Sequence, residues 1–365
     1  MRPPPPSAPA PRRTVTSEEL SDGRRAGTFE LANDALRVRV SSLGAALLAV
    51  EVPDKGGHVR DVALGHATLQ GYLDGDAYLG AAIGRTAGRV SEAFVEVGGV
   101  EYDLDANDGP NTLHGGPKGL HQKVWTVEDH SPTHIRFEVT SPAGEGGFPG
   151  TLAVALTYTL HDRELHLDWE ATTDAPTPFA PTHHAYWNLN GHDTGSIRGH
   201  LLQCPAERFV VLGRALLPTG ETAPVDGTPL DFRSPTPLGR VLDAPTREVE
   251  QAGGVDHDLL DSAPGSRQSP YRVVARLWGE AIGMDVLTTE PGVHVYTGGT
   301  LDVADGKDGA VYGRFDGIAL ETQPPPDATR YADASEDFPS IVLHPRDTFH
   351  SRTVFRFHHE PSPPE

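Results

Sequence analysis

The sequence predicts an all-β protein with very little helix. Three observations carry that expectation. Apolar residues alternate with polar ones: in residues 134–140, Ile135, Phe137 and Val139 share one face while Arg136 and Glu138 share the other. Turn formers interrupt such runs at short intervals, with 40 Gly and 33 Pro in 365 residues. Long amphipathic helical patterns are nearly absent.

Taken in order, residues 1–25 are Pro-rich and then polar and acidic. Such a segment cannot bury enough apolar surface to offset its ordering entropy, so a disordered tail is expected. A single β domain is expected over 26–360. Its strands are expected at 35–40, 45–52, 59–64 and 93–97, and then at 134–140. In 151–160, Leu152, Val154, Leu156, Tyr158 and Leu160 fall on one face. In 164–170, Leu165, Leu167 and Trp169 alternate with His166 and Asp168. Further strands are expected at 272–278, 284–289, 293–297, 317–321, 340–344 and 348–357. Segments 247–253 and 327–334 suit helices of one or two turns. The terminal PSPPE reads as a frayed end. This pattern fits one large antiparallel β-sandwich or barrel, and alternation alone does not choose between them.

Charge and cysteine usage exclude several function classes. Lys plus Arg is 30 against 51 for Asp plus Glu, a net charge of −21. Nucleic acid and anionic membrane surfaces both require clustered cations, so neither is an expected partner. The one cysteine, Cys204, can build no internal disulfide or thiolate zinc site and suits a small buried apolar position. No stretch approaches the roughly 18 apolar residues of a membrane span. Arg12-Arg13 is followed by no apolar segment, so no secretory leader is expected and a cytoplasmic location follows.

The 18 histidines are the informative feature. His114 lies in NDGPNTLHGG, His183 and His184 in PTHHAYWNLNG, His257 in GGVDHDLL, and Glu321 closes the apolar run GIAL. Loop and strand-end residues set by a rigid sheet often carry function. A metal centre is not expected: there is no HExxH, no Cys partner, and adjacent His183 and His184 point to opposite faces of a strand. No GxSxG nucleophile motif is present, and GRTAGRV lacks the phosphate-cradling GxGxxG. Acid–base chemistry from a histidine and a carboxylate remains. Taken singly, each of these residues is more readily a turn or surface residue. Trp125, Trp187, Tyr186 and Tyr296 could equally face a sugar ring or fill the core.

Together the segments resemble the aldose 1-epimerase (galactose mutarotase) family. GAAIGRTAGRV is similar to its GRxANR segment, NDGPNTLHGG to NNGPNxLHGG, and PTHHAYWNLNG to TNHxYFNLxG. LPTGETAPVDGTPLDFR, GVDHDLL, PGVHVYTGGTLD, GIALETQPPPDATR and FPSIVLHPRDTFHSRTVFRF follow in the family's order, over about residues 28–358. The resemblance implies the mutarotase supersandwich fold. It implies a cofactor-independent enzyme, with no metal, that interconverts α and β anomers of a free aldose, as a monomer or dimer. It places the general base at Glu321 and the general acid at His184, and puts His114, Arg85 and Asp256 on the sugar. Three positions depart from the family pattern: Gly88 replaces Asn, Val255 an aromatic and His294 a Gln. Lining the pocket, they would alter specificity before chemistry. The alternatives are a relative acting on a phosphorylated or modified sugar, a sugar-binding protein without turnover, and a glycosidase with Asp256 and Glu321 as its carboxylates.

Overall fold

A computed structural model describes residues 16–244, 246–260, 271–332 and 335–359. Three antiparallel sheets dominate it. The largest has nine strands. Its spatial order is Thr126–Ser131, His134–Ser141, Leu152–His161, Glu164–Thr173, Phe349–His358, Gly283–Thr288, Arg272–Trp278, Leu201–Gln203 and Thr236–Pro237. A six-stranded sheet runs Tyr186–Trp187, Ile318–Gln323, Gly292–Tyr296, Asp256–Leu260, Arg208–Leu212 and Pro218–Pro224. A five-stranded meander spans Thr16–Glu19 to Val59–Asp61.

The alternation read in the sequence sets the packing. Along Glu164–Thr173 the residues Leu165, Leu167, Trp169 and Ala171 are all buried, on the face that meets the core. One contiguous apolar core takes Val38 and Val50 from the meander. The nine-stranded sheet adds Phe137, Leu156, Leu167 and Phe355, and the six-stranded sheet adds Val293, Val295 and Leu320. The architecture is a sandwich, since two large sheets present apolar faces to a shared interior. Four short helices occur among the described residues, none longer than six residues. One of them, Arg247–Ala252, stops at Gly253, whose φ of +66° closes the helix in the left-handed conformation. No helix of the described residues is long and apolar enough to cross a membrane.

Two expectations need correction. Residues 16–25, assigned to the tail by composition, include the edge strand Thr16–Glu19, which pairs with Arg25–Ala32 and brings Leu20 into a small cluster with Leu43 and Leu69. The polar strand is held by backbone pairing, which composition does not register. Residues 1–15 and 361–365, the rest of the expected tail and the expected frayed end, lie outside the described residues. The second correction is Asp256–Leu260, a full strand of the six-stranded sheet where the alternation pattern predicts none. Its outward face carries Asp256 and Asp258, so it lacks an apolar run.

The strand Ile318–Gln323 is buried on both faces. Ile318 and Leu320 enter the core, and the Thr322 hydroxyl meets that of Thr353 in the nine-stranded sheet at 2.5 Å. Glu321 and Gln323 point the other way, into a cavity of about 330 Å³.

Candidate active site

Sheet register assembles the floor of this cavity. His294 lies directly opposite Glu321 on one neighbour and Asp258 on the other. Directly opposed residues in antiparallel strands share a face. A row of Asp258, His294 and Glu321 therefore crosses three strands, with Asp256 and Gln323 beside it. Asp256 Oδ1 lies 2.9 Å from His294 Nε2, and Asp258 Oδ2 lies 3.1 Å from His294 Nδ1.

The wall comes from the opposite side. His184 ends the strand Thr182–His184, which pairs with Ala81–Ile83. As expected for adjacent residues in a strand, the two histidines separate: His183 Nε2 sits 2.8 Å from the Tyr158 hydroxyl in the interior, while His184 lines the cavity. His184 Nε2 is 3.5 Å from Glu321 Oε1. His114, at a φ of +53°, follows the two-residue strand Thr112–Leu113. The Gly88 backbone N–H donates to its Nδ1 at 3.3 Å, which leaves the ring proton on Nε2 as a donor. Donor atoms of His114, His184 and Glu321 all lie within 4.8 Å of one another, and all three side chains are buried. Histidine and carboxylate donors this close also suit a cation, a juxtaposition that sequence spacing did not show.

Burial sets the electrostatics. It pushes the Glu321 carboxyl up to about 8, with Asp258 and Asp256 adding to the rise and His294 opposing it. It pulls the His184 imidazole down to about 3, and His114 well below the usual histidine value. Glu321 and His184 thus share one proton across neutral pH. Burial would also raise Asp256, but His294 holds it below its ordinary value. Glu321 Oε2 and Gln323 Oε1 are buried with no hydrogen-bond partner in the protein. Orphaned acceptors aimed at a cavity call for ligand hydroxyls.

Arg85 does not reach the cavity. Its side chain is buried, and every guanidinium nitrogen is spent on the protein: Nε on the Ser141 hydroxyl, Nη1 on the Pro149 and Gly150 carbonyls and the Thr177 hydroxyl, Nη2 on the Ser141 and Pro142 carbonyls. The cavity arginine is Arg89, oriented by an Nε bond to Asp108 at 2.9 Å. Two arginines four residues apart in GRTAGRV could not be ranked by sequence alone. Of the three departures, Val255 is fully buried in the core and lines nothing. Gly88 lines the cavity with a φ of +68°, and a Cβ there would come within 2.5 Å of Pro326. His294 stands at the centre of the floor. The aromatics divide: Trp125 and Trp187 are core residues, whereas Tyr186 and Tyr296 join Tyr78 in the cavity wall. Asp258, Gln323 and Tyr78 were not singled out by sequence. The alternating polar positions of VDHD and ALETQ were the signal for the first two.

A family model described as aldose 1-epimerase matches residues 27–356. The chain belongs to the aldose 1-epimerase family. Galactose mutarotase of Homo sapiens is 39% identical over 348 residues, covering 94% of this chain and 98% of that protein. Aldose 1-epimerase of Escherichia coli (strain K12) is 31% identical, covering 92% and 96%. Among solved structures, an aldose epimerase homologue from C. elegans superposes with a TM-score of 0.83 at 31% identity, covering 92% of this chain and 99% of its own. The galactose 1-epimerase of Lactobacillus acidophilus superposes with a TM-score of 0.81 at 27% identity, covering 95% and 98%. Within the aldose 1-epimerase family, then, the sandwich reading stands, and so does the enzyme class, an isomerase acting on carbohydrates.

Proposed function

We propose that this protein is a mutarotase that interconverts the α and β anomers of a free aldose without metal or cofactor. The observation that carries this reading is the 3.5 Å separation of His184 and Glu321. Opening a cyclic hemiacetal needs a base at the C1 hydroxyl and an acid at the ring oxygen. Both oxygens are bonded to C1, so acid and base must be close neighbours. A pair of glycosidase carboxylates, by contrast, stands about 5–9 Å apart around a scissile bond.

The Glu321 carboxylate accepts the C1 hydroxyl proton while protonated His184 donates to the ring oxygen. The C1–ring-oxygen bond breaks, the aldehyde rotates about C1–C2, and reclosure from the other face returns both protons. A bound sugar favours the charged arrangement, because its hydroxyl donates to Glu321 and its ring oxygen accepts from His184. The neutral His114 donor steadies the same oxygen region, and Asp256 and Arg89 take hydroxyls along the ring. The charge around the cavity supports an unmodified sugar. Asp76, Asp256, Asp258, Asp302 and Glu321 face only Arg89 and His294 as cations, and both are engaged by aspartates. A cytoplasmic monomer or dimer, with the edge strand Thr16–Glu19 included in one catalytic unit, completes the reading. The buried Cys204, whose thiol burial raises, fits a reducing compartment.

Polarimetry or NMR of freshly dissolved α-glucose and α-galactose tests it. Exchange far above the uncatalysed rate is expected, undiminished by EDTA, and it should fall as pH rises through about 8, where the Glu321–His184 pair loses its single proton. Exchange abolished by EDTA and restored by a divalent cation would transfer the site to metal chemistry. Sugar binding without exchange would leave a binding protein.

A further inference from the structure

The Asp256–His294–Asp258 cluster has a consequence for the reaction that the acid and base alone do not contain. His294 pairs with two carboxylates, Nε2 at 2.9 Å from Asp256 and Nδ1 at 3.1 Å from Asp258, the second a charge contact without hydrogen-bond geometry; the His294, Asp256 and Asp258 side chains are 16%, 12% and 4% exposed. Gln323 Nε2 donates to Asp258 Oδ1 at 3.1 Å, so the far carboxylate is itself anchored. We propose that His294 is a positioning residue for anomer exchange: clamped between Asp256 and Asp258, it fixes the Asp256 carboxylate toward the sugar and places a positive charge beside the general base. The inference rests on the mutarotase reading and extends it to a residue that differs from the family pattern.

The charges around Glu321 are confined to one small space. Glu321 faces Asp256 and Asp258 beyond His294, the imidazoles of His184 and His114 across the cavity, and the Tyr186 phenol. Among these groups His294 is the cation. Asp258 and Asp256 outweigh the effect of burial on its ring and hold it protonated well above the ordinary histidine range. Without that charge, Asp256, Asp258 and Glu321 would be three carboxylates on one buried patch, and their repulsion would keep the shared proton on Glu321. A neutral glutamine could bond one aspartate but supplies no charge. The register that sets His294 opposite both Asp258 and Glu321 makes its effect on the base direct.

The test compares wild type with His294→Gln and Asp258→Asn, using anomer exchange from pH 5 to 10. For His294→Gln the alkaline limb should move up by about one pH unit, and plateau kcat should fall by about tenfold, because one unit is a tenfold change in the proton's distribution. KM should rise as Asp256 loses its clamp. Asp258→Asn removes one of the two carboxylates that hold the ring charged and should raise KM, with a smaller displacement of the limb because Asp256 stays 2.9 Å from Nε2. In wild-type protein, 15N NMR should find His294 protonated on both nitrogens at pH 8. An unmoved limb in His294→Gln overturns the proposal, as does a uniform loss of rate at every pH accompanied by a lowered Tm. A wild-type protein with no exchange at any pH overturns the mutarotase reading itself, and is distinguishable because the failure appears before any substitution is made.

Discussion

Glu321→Gln reduces kcat for anomer exchange by about 10³-fold or more, within the range that positioned acid–base groups supply. The substitution keeps the side-chain volume and removes the proton acceptor. It also removes a buried carboxyl that is strained by Asp256 and Asp258, so Tm should hold or rise. The loss is then one of chemistry, not folding. His184→Asn removes the partner 3.5 Å away and should cost a similar factor. The double variant should be no worse than either single one, because two groups sharing one proton act as a unit. Three measurements are enough: single-variant rates, the double-variant rate and a thermal melt of each. Near-normal exchange in either single variant would remove that residue from the mechanism.

Arg85→Met destabilises the protein without a specific effect on sugar binding. Arg85 crosslinks the ends of two strands and the loops beside them through four carbonyl oxygens and two hydroxyls. Methionine fills part of the volume and leaves those acceptors buried and unpaired. Each buried acceptor left unpaired costs roughly 1–3 kcal/mol, so even partial relaxation leaves a loss of about 3–5 kcal/mol. For a chain of this size that is a fall in Tm of about 5 °C. Arg89→Met is the counterpart, since Arg89 lines the cavity with its Asp108 contact at the rim. It should raise KM by about tenfold and move Tm by about 2 °C or less. Calorimetry and saturation kinetics on the two variants check both expectations. Equal KM effects with unchanged melts would return Arg85 to the sugar.

The contrast between the two arginines shows where sequence reading succeeds and where it stops. Period-two burial made the sandwich legible, because strands such as Glu164–Thr173 write their buried face directly into the chain. The short helix at Arg247–Ala252 was legible for a related reason: its glycine stop is local chemistry. Motif resemblance reached Glu321, His184, His114 and Asp256, four residues that the structure gathers around one cavity. It did not separate Arg85 from Arg89: the side-chain hydroxyls that hold Arg85 lie 56 and 92 residues away in the chain, and the carboxylate that holds Arg89 lies 19 away. It did not place Asp258 and Gln323 either. Their role comes from register between strands, which is a property of pairing and not of either strand alone. His294 was visible as a departure, but its two aspartates became partners only once three strands lay side by side.

The double burial of Ile318–Gln323 ties the reaction to the durability of the whole molecule. Its backbone pairs with Gly292–Tyr296 from Ala319 to Gln323 and with Tyr186–Trp187 at Ile318 and Ala319, and all six side chains are buried. A segment so enclosed has no partial opening of its own, so its amides should exchange with deuterium only when the entire domain unravels. Catalytic groups mounted on mobile loops can be silenced by local breathing. Here the base should stay in register up to the melting transition, and inactivation on heating should coincide with global collapse.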